Sequence, residues 1–282
     1  DLAQAEDWVT QGVIADVSGI TTGLDELKQG LDRHKKLGSF IFSIPEDQCG
    51  KDTPARFIGK KTRHAGDYGM REKTMAASLA KEGFEASVEQ CAFFLDMFHK
   101  KEPEIRDVYH KHIEQQLEDF RKLTTPGPIH RERFFMGLRP TGDNGNIYRD
   151  AYSYIPQSTV GDLTGLAILR IETWNFGVVI MDIHDQIILE VDDDMWSIHR
   201  ALQLLAAGYN TELTFPNGLK FKIPNEFEIG YSKKGLTECG GCKDPGLENI
   251  VTTLRQHQKA QRTTTSGQPP LSSPQPSNAM SG

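Results

Sequence analysis

The residues best placed to do chemistry lie in "RFIGKKTRHAGDYGM", residues 56–70, where Arg56, Lys60, His64 and Tyr68 follow one another at four-residue steps. On a helix that spacing lays two cations, an imidazole and a phenol along one line. Arg56 can grip a phosphate bidentately and Lys60 can meet the next one as a point charge, so the pair suits a triphosphate. His64 and Tyr68 offer flat faces against which a base can stack. Taken alone, the same line also describes a solvated basic face with Tyr68 packed in the core.

Carboxylates from distant segments are the other half of such chemistry. Asp185 falls in "GVVIMDIHDQIILEVD", two Val- and Ile-rich arms around a polar turn, His184-Asp185-Gln186, which holds an acid at an exposed tip. Asp1 and Glu6 stand in "DLAQAE", ahead of a helix-like run. Each has a plainer reading, as turn chemistry for Asp185 and as a helix cap for Asp1. As partners they match what phosphoryl transfer asks for, carboxylates from separate segments holding two divalent ions roughly 3.5–4 Å apart. "CGGC" at 239–242 has no second pair beside it, and two thiols do not close a tetrahedral zinc site.

The elements that must position these residues change character along the chain. Helical periodicity runs through "TTGLDELKQGLDRHKKLGSFIF", a helix from about Pro54, "MREKTMAASLAKEGF" and "SVEQCAFFLDMFHKKEPEIRDVYHKHIEQQLEDFRKL", broken at Pro103. A long helix is predicted from about Ile147 to Glu172, with Pro156 inside it. Then come the Val/Ile hairpin, a helix over "DDMWSIHRALQLLAAGY" with acids in its first turn, and strand-like pieces in "TELTF", "LKFKI" and "EFEIGY". From about Lys243 the Ser, Pro, Gly and Thr content is that of a disordered tail.

Bulk properties narrow the class. The 282 residues, 37% hydrophobic and 25% charged, suffice for a sizeable core, and the net charge of -7 argues against a generic nucleic-acid coat. Between Lys51 and Lys73, however, seven Lys/Arg face three acids, while "EVDDD" at 190–194 is acidic. A basic helix beside acidic turns suits a site that handles an anion and a divalent metal together. Four scattered cysteines fit a reducing cytosol, and no apolar run approaches the roughly 20 residues of a membrane span.

Together these residues resemble the C-terminal polymerase region of a family A DNA polymerase, the group of bacterial DNA polymerase I, and more closely its phage-type relatives. "DLAQAE" resembles motif A, DxSQxE, which implies that Asp1 is a catalytic metal ligand and that Glu6 blocks a ribose 2′-hydroxyl. "RFIGKKTRHAGDYG" resembles motif B, R-x3-K-x3-F-x3-YG, with Arg56 and Lys60 on the incoming dNTP and His64 and Tyr68 beside the nascent base pair. "IHDQ" resembles motif C, HDE, making Asp185 the second metal ligand and His184 a neighbour of the primer end. "LDRH" at 31–34 is similar to the segment after motif A and implies a phosphate contact by His34, and "RDAYSYIPQ" is similar to a palm helix whose Arg149 and Gln157 touch primer-template DNA. His64 departs from the usual Phe or Tyr, Gln186 from Glu, and Ser153 from Asn.

The resemblance covers residues 1–235 and implies an α+β fold, a mainly helical fingers subdomain plus the antiparallel-sheet palm of a right-hand DNA polymerase, N-terminally truncated. It divides the chain into palm at 1–20, fingers at 21–125, palm at 126–242 and a tail at 243–282. It implies template-directed addition of dNTPs to a primer 3′-hydroxyl with two Mg²⁺ ions, for which Mn²⁺ can substitute, in replication or repair. The expected partners are primer-template DNA, dNTPs and a missing N-terminal thumb or exonuclease part, with no membrane, in a bacterial or phage-infected cytoplasm. The alternatives are a non-catalytic DNA-binding remnant and one half of a split polymerase.

Overall fold

In the computed structural model, residues 2–139, 143–230 and 237–238 are described, the last two as backbone. Asp32 and Thr53 begin the two helices that carry His34, Arg56, Lys60 and His64. The Asp32 carboxylate accepts from the Lys35 amide at 2.9 Å and caps α3 (Arg33–Phe42). Thr53 accepts from the Arg56 amide and Pro54 occupies the first turn of α4 (Pro54–Asp67). These helices touch backbone to backbone, because a Cβ at Gly59 would fall 2.3 Å from the His34 carbonyl, and one at Gly38 2.3 Å from that of Ala55. No side chain fits between them.

Five further α-helices complete the described part of the first half of the chain. Helix α1 (Ala5–Ser18) ends on Gly19, whose φ of 75° is the left-handed conformation a helix stop needs, and α2 (Thr22–Lys28) follows. Helix α5 (Glu72–Lys81) leads to α6 (Val88–Lys101), which starts with a reciprocal capping box between Ser87 and Gln90. The expected break at Pro103 is brief. A π-helical turn, Ile105–His110, runs straight into α7 (Lys111–Phe120).

Helix α8 (Gly145–Trp174) continues through a buried Pro156. Proline removes the amide that would bond the carbonyl of Tyr152, and the Tyr109 hydroxyl donates to that carbonyl instead, at 2.5 Å. The π-helical turn thus supplies the bond α8 lacks. One hydrophobic cluster extends from Leu2 and Trp8 through Leu37, Ile58, Phe98 and Tyr109 to Ile171 and Ile223. A smaller one joins Ile198 and Leu202 of α9 (Met195–Tyr209) to Phe227.

The strands pair only two by two among the described residues: β1 (Lys122–Thr124) with β2 (Glu132–Phe134), β3 (Val178–Ile183) with β4 (Gln186–Glu190), β5 (Leu213–Thr214) with β6 (Lys220–Phe221), and β7 (Glu228–Ile229) with β8 (Thr237–Glu238). All four ladders are antiparallel. The fold is therefore mostly helical with small antiparallel sheets. No sheet of more than two strands forms among the described residues, and β3 leaves Val178 62% and Ile180 50% exposed.

Two local expectations are corrected. The hairpin turn has two residues, His184 and Asp185, since Gln186 already pairs with Ile183 in the ladder, and His184 takes a φ of 56° to close it. Asp194 is the N-cap of α9 and accepts from the amides of Trp196 and Ser197, and no acid lies in the helix's first turn.

Candidate nucleotide site

Glu6, on the first turn of α1, meets the far end of α4. The Tyr68 hydroxyl donates to Glu6 Oε2, and His64 Nε2 stands 3.6 Å from the same oxygen. The His64 and Tyr68 rings form a T-shaped pair with centroids 5.5 Å apart. Tyr68 is the C-cap of α4, one position past the helix in which the sequence placed it. Gly69 follows with a φ of 63° and backs onto the Tyr152 ring. Burial, then Glu6, pushes the Tyr68 phenol far up, so it remains a donor. Burial lowers His64, the Glu6 charge opposes that, and Lys60 and Lys61 add to it.

Nearer the start of α4, Arg56 is already engaged, its Nε donating to Asp32 Oδ2 at 2.6 Å. His34 sits 3.9 Å from the other Asp32 oxygen, under the charges of Arg63, Lys60 and Arg56. Burial and then those cations lower His34 to about 3, which leaves it neutral at neutral pH. His34 therefore stands beside Asp32 as a neutral imidazole. Lys60 is exposed and makes no ion pair among the described residues.

The DNA-contact candidates occupy other faces. Arg149, early in α8, bonds Asn146 and lines a cleft of about 470 Å³ with Gly69, Arg71, Arg106 and Tyr152. Gln157 is exposed on α8. His184 and Asp185 form the β3–β4 tip, where the Tyr209 hydroxyl donates to the Asp185 carbonyl at 2.9 Å. The backbone is anchored while the Asp185 carboxylate makes no hydrogen bond or ion pair among the described residues, which fits a carboxylate presented to a cation. Asp1, the "CGGC" segment and the tail from 243 lie outside the described residues. No group of three or more metal-ligating side chains forms among the described residues, and none of the described helices is long and apolar enough to cross a membrane.

Behind this surface lies a buried cluster of charges that the sequence reading missed. Glu102, at the end of α6, accepts from Arg33 Nη2 at 2.6 Å and from Arg63 Nη1 and Nη2 at 2.8 and 2.5 Å. Arg33 Nη1 also reaches Asp7 Oδ1 at 2.6 Å, with Arg63 Nη1 3.6 Å from that oxygen. All four side chains are at most 6% exposed. Nothing in the residue types announced this, since Asp7, Arg33, Arg63 and Glu102 look like ordinary surface charges in helices.

Residues 11–234 match the family model described as DNA polymerase family A. The chain is 23% identical over 235 residues to the thermostable DNA polymerase I of Thermus thermophilus, a match covering 81% of this chain and 26% of that relative. It also resembles the POL domain of Pol1 from M. smegmatis, solved in complex with DNA primer-template and dNTP, with a TM-score of 0.57 and 19% identity over 74% of this chain and 35% of that one. At that identity the likeness is one of fold. The chain thus spans about a quarter of the length of the curated relative. Enzymes of this family use divalent metal ions. The family match covers most of the helices and the hairpin described above, and the chain belongs to DNA polymerase family A.

Proposed function

We propose that this chain supplies the fingers and much of the palm of a DNA polymerase that adds dNTPs to a primer 3′-hydroxyl, in a bacterial or phage-infected cytoplasm. The observation that carries the reading is the convergence of Glu6 with His64 and Tyr68, from segments 62 residues apart, on a helix whose exposed face carries Lys60. In this reading Lys60 and Arg56 hold the triphosphate and His34 donates a neutral hydrogen bond to it. Tyr68 and His64 flank the nascent base pair. Glu6, fixed by the Tyr68 hydroxyl, fills the space a 2′-hydroxyl needs. Arg149, Gln157 and His184 contact the primer-template. Two Mg²⁺ ions bound by Asp1 and Asp185 supply a lowered pKa for the 3′-hydroxyl and charge neutralisation on the triphosphate. A thumb, with or without an exonuclease, comes from a part of the protein other than 1–282.

The test is primer extension by the full-length protein and its Asp185→Ala variant. Asp185→Ala is expected to abolish extension while leaving primer-template affinity nearly intact, since the side chain makes no hydrogen bond or ion pair among the described residues. Extension at the wild-type rate refutes the assignment. Gln186, uncharged beside the tip, supports a second reading as a DNA-binding remnant, for which the wild-type protein would bind primer-template and extend nothing.

A further inference from the structure

Asp7, Arg33 and Arg63 each stand next in sequence to a residue of the nucleotide site, Asp7 to Glu6, Arg33 to His34 and Arg63 to His64. All three turn inward. Neighbours on a helix point about 100° apart, so fixing the inward residue also fixes the direction of the outward one. Arg33 and Arg63 come from α3 and α4 and both bond Glu102, while Arg33 reaches across to Asp7 of α1. One carboxylate at the end of α6 therefore ties together the three helices that carry the site.

Stability alone is a weak reason for such a cluster, because apolar side chains of similar volume often serve a core as well as a buried ion cluster does. Charges add direction. The guanidinium of Arg63 spans both Glu102 oxygens, and a two-point fork resists rotation of α4 about its axis in a way that apolar packing does not. Between α3 and α4, the glycine contact at Gly38 and Gly59 sets the separation and the faces that meet, and the Arg63 fork adds a directional tie to α6.

We propose that Glu102 is a positioning residue for the nucleotide: through Arg33 and Arg63, and with Asp7, it sets the rotation of α1, α3 and α4 so that Glu6, His34, Lys60 and His64 face one dNTP. This rests on the polymerase reading above. The role belongs to dNTP selection and leaves the DNA-contact residues Arg149, Gln157 and His184 untouched.

The experiment uses the full-length protein and varies dNTP on a fixed primer-template. Arg63→Met/Glu102→Gln removes one cation and one anion and leaves Arg33 with Asp7, so the buried charge stays balanced. The expected result is a melting temperature within about 5 °C of wild type, primer-template Kd within about twofold, and KM for dNTP raised about tenfold or more with kcat lowered. Wild-type KM and kcat at a retained melting temperature overturn the proposal. Should the double variant melt early, Arg63→Lys decides at a temperature where it is folded, since it keeps the charge and loses the fork. A raised KM there supports the role and an unchanged one overturns it. A wild-type protein that extends no primer refutes the polymerase reading itself, whereas an active wild type with indifferent variants removes only the positioning role.

Discussion

Glu102→Gln is the sharpest probe of the buried cluster, because it keeps the shape of the side chain and deletes one charge. Burial would raise the Glu102 carboxyl, but Arg63 and Arg33 outweigh it and hold it at about 2, against an ordinary 4.5. That fall corresponds to about 3 kcal/mol of folding free energy. Removing one partner of a buried pair costs about 3–5 kcal/mol by comparison with other proteins, so the two routes agree. The sign follows from a folded-state value below the unfolded one: the contribution is complete above pH 4.5 and disappears as pH falls through about 2. Asp67 is buried beside Arg63 with its carboxyl pushed well upward by burial, so its linkage runs the other way. Wild type and variant are therefore compared in an Asp67→Asn background. Urea unfolding at pH 7 is expected to show a gap of about 3 kcal/mol that closes toward pH 2. A gap below about 1 kcal/mol at pH 7, or one that ignores pH, refutes the pairing energetics.

Gly59→Ala places a methyl 2.3 Å from the His34 carbonyl and 2.7 Å from the Gly38 amide nitrogen, and neither atom can move without its helix. A loss of about 1–3 kcal/mol is expected by thermal unfolding monitored by circular dichroism, and an unchanged melting temperature contradicts the helix contact. Ser87→Ala removes one half of the α6 capping box and is expected to cost about 1 kcal/mol in urea midpoint measurements. Asp32→Asn keeps the α3 cap, since Asn serves as well as Asp, while releasing Arg56. Its KM for dNTP is expected to fall about two- to fivefold, the worth of one half-exposed ion pair, and a rise means that Asp32 aids binding.

Much of the scaffold was legible in local pattern. The 3.6-residue period marked α4, α6 and α8, and the Val- and Ile-rich arms marked the β3–β4 hairpin, because each signal is local and one-dimensional. Other features depend on residues far apart. Tyr109 completes the backbone bonding that Pro156 interrupts, 43 residues along the chain from the carbonyl it serves. Gly38 and Gly59 carry no signal until α3 and α4 lie together. Of the site, Glu6 lies against His64 and Tyr68 from a segment far away in the chain, whereas the Glu102 cluster escaped because charge alone does not say which way a side chain turns.

The cationic line that first suggested a triphosphate site is also more restrained than its composition implies. Arg56 is bound to Asp32, His64 is shifted toward its neutral form beside Glu6, and His34 is partly buried and neutral. In the resting protein Lys60 is the one cation of the line without an ion pair among the described residues, and Arg56 becomes available only if it leaves Asp32. The Arg56–Asp32 pair is partly exposed, with side-chain exposures of 19% and 34%, so exchange for a phosphate has a low cost. A polyphosphate carries enough charge to make that exchange, while a single carboxylate or chloride offers Arg56 no gain over Asp32. Selectivity for densely charged anions can thus arise from the intramolecular competitor itself, before any base or sugar is read.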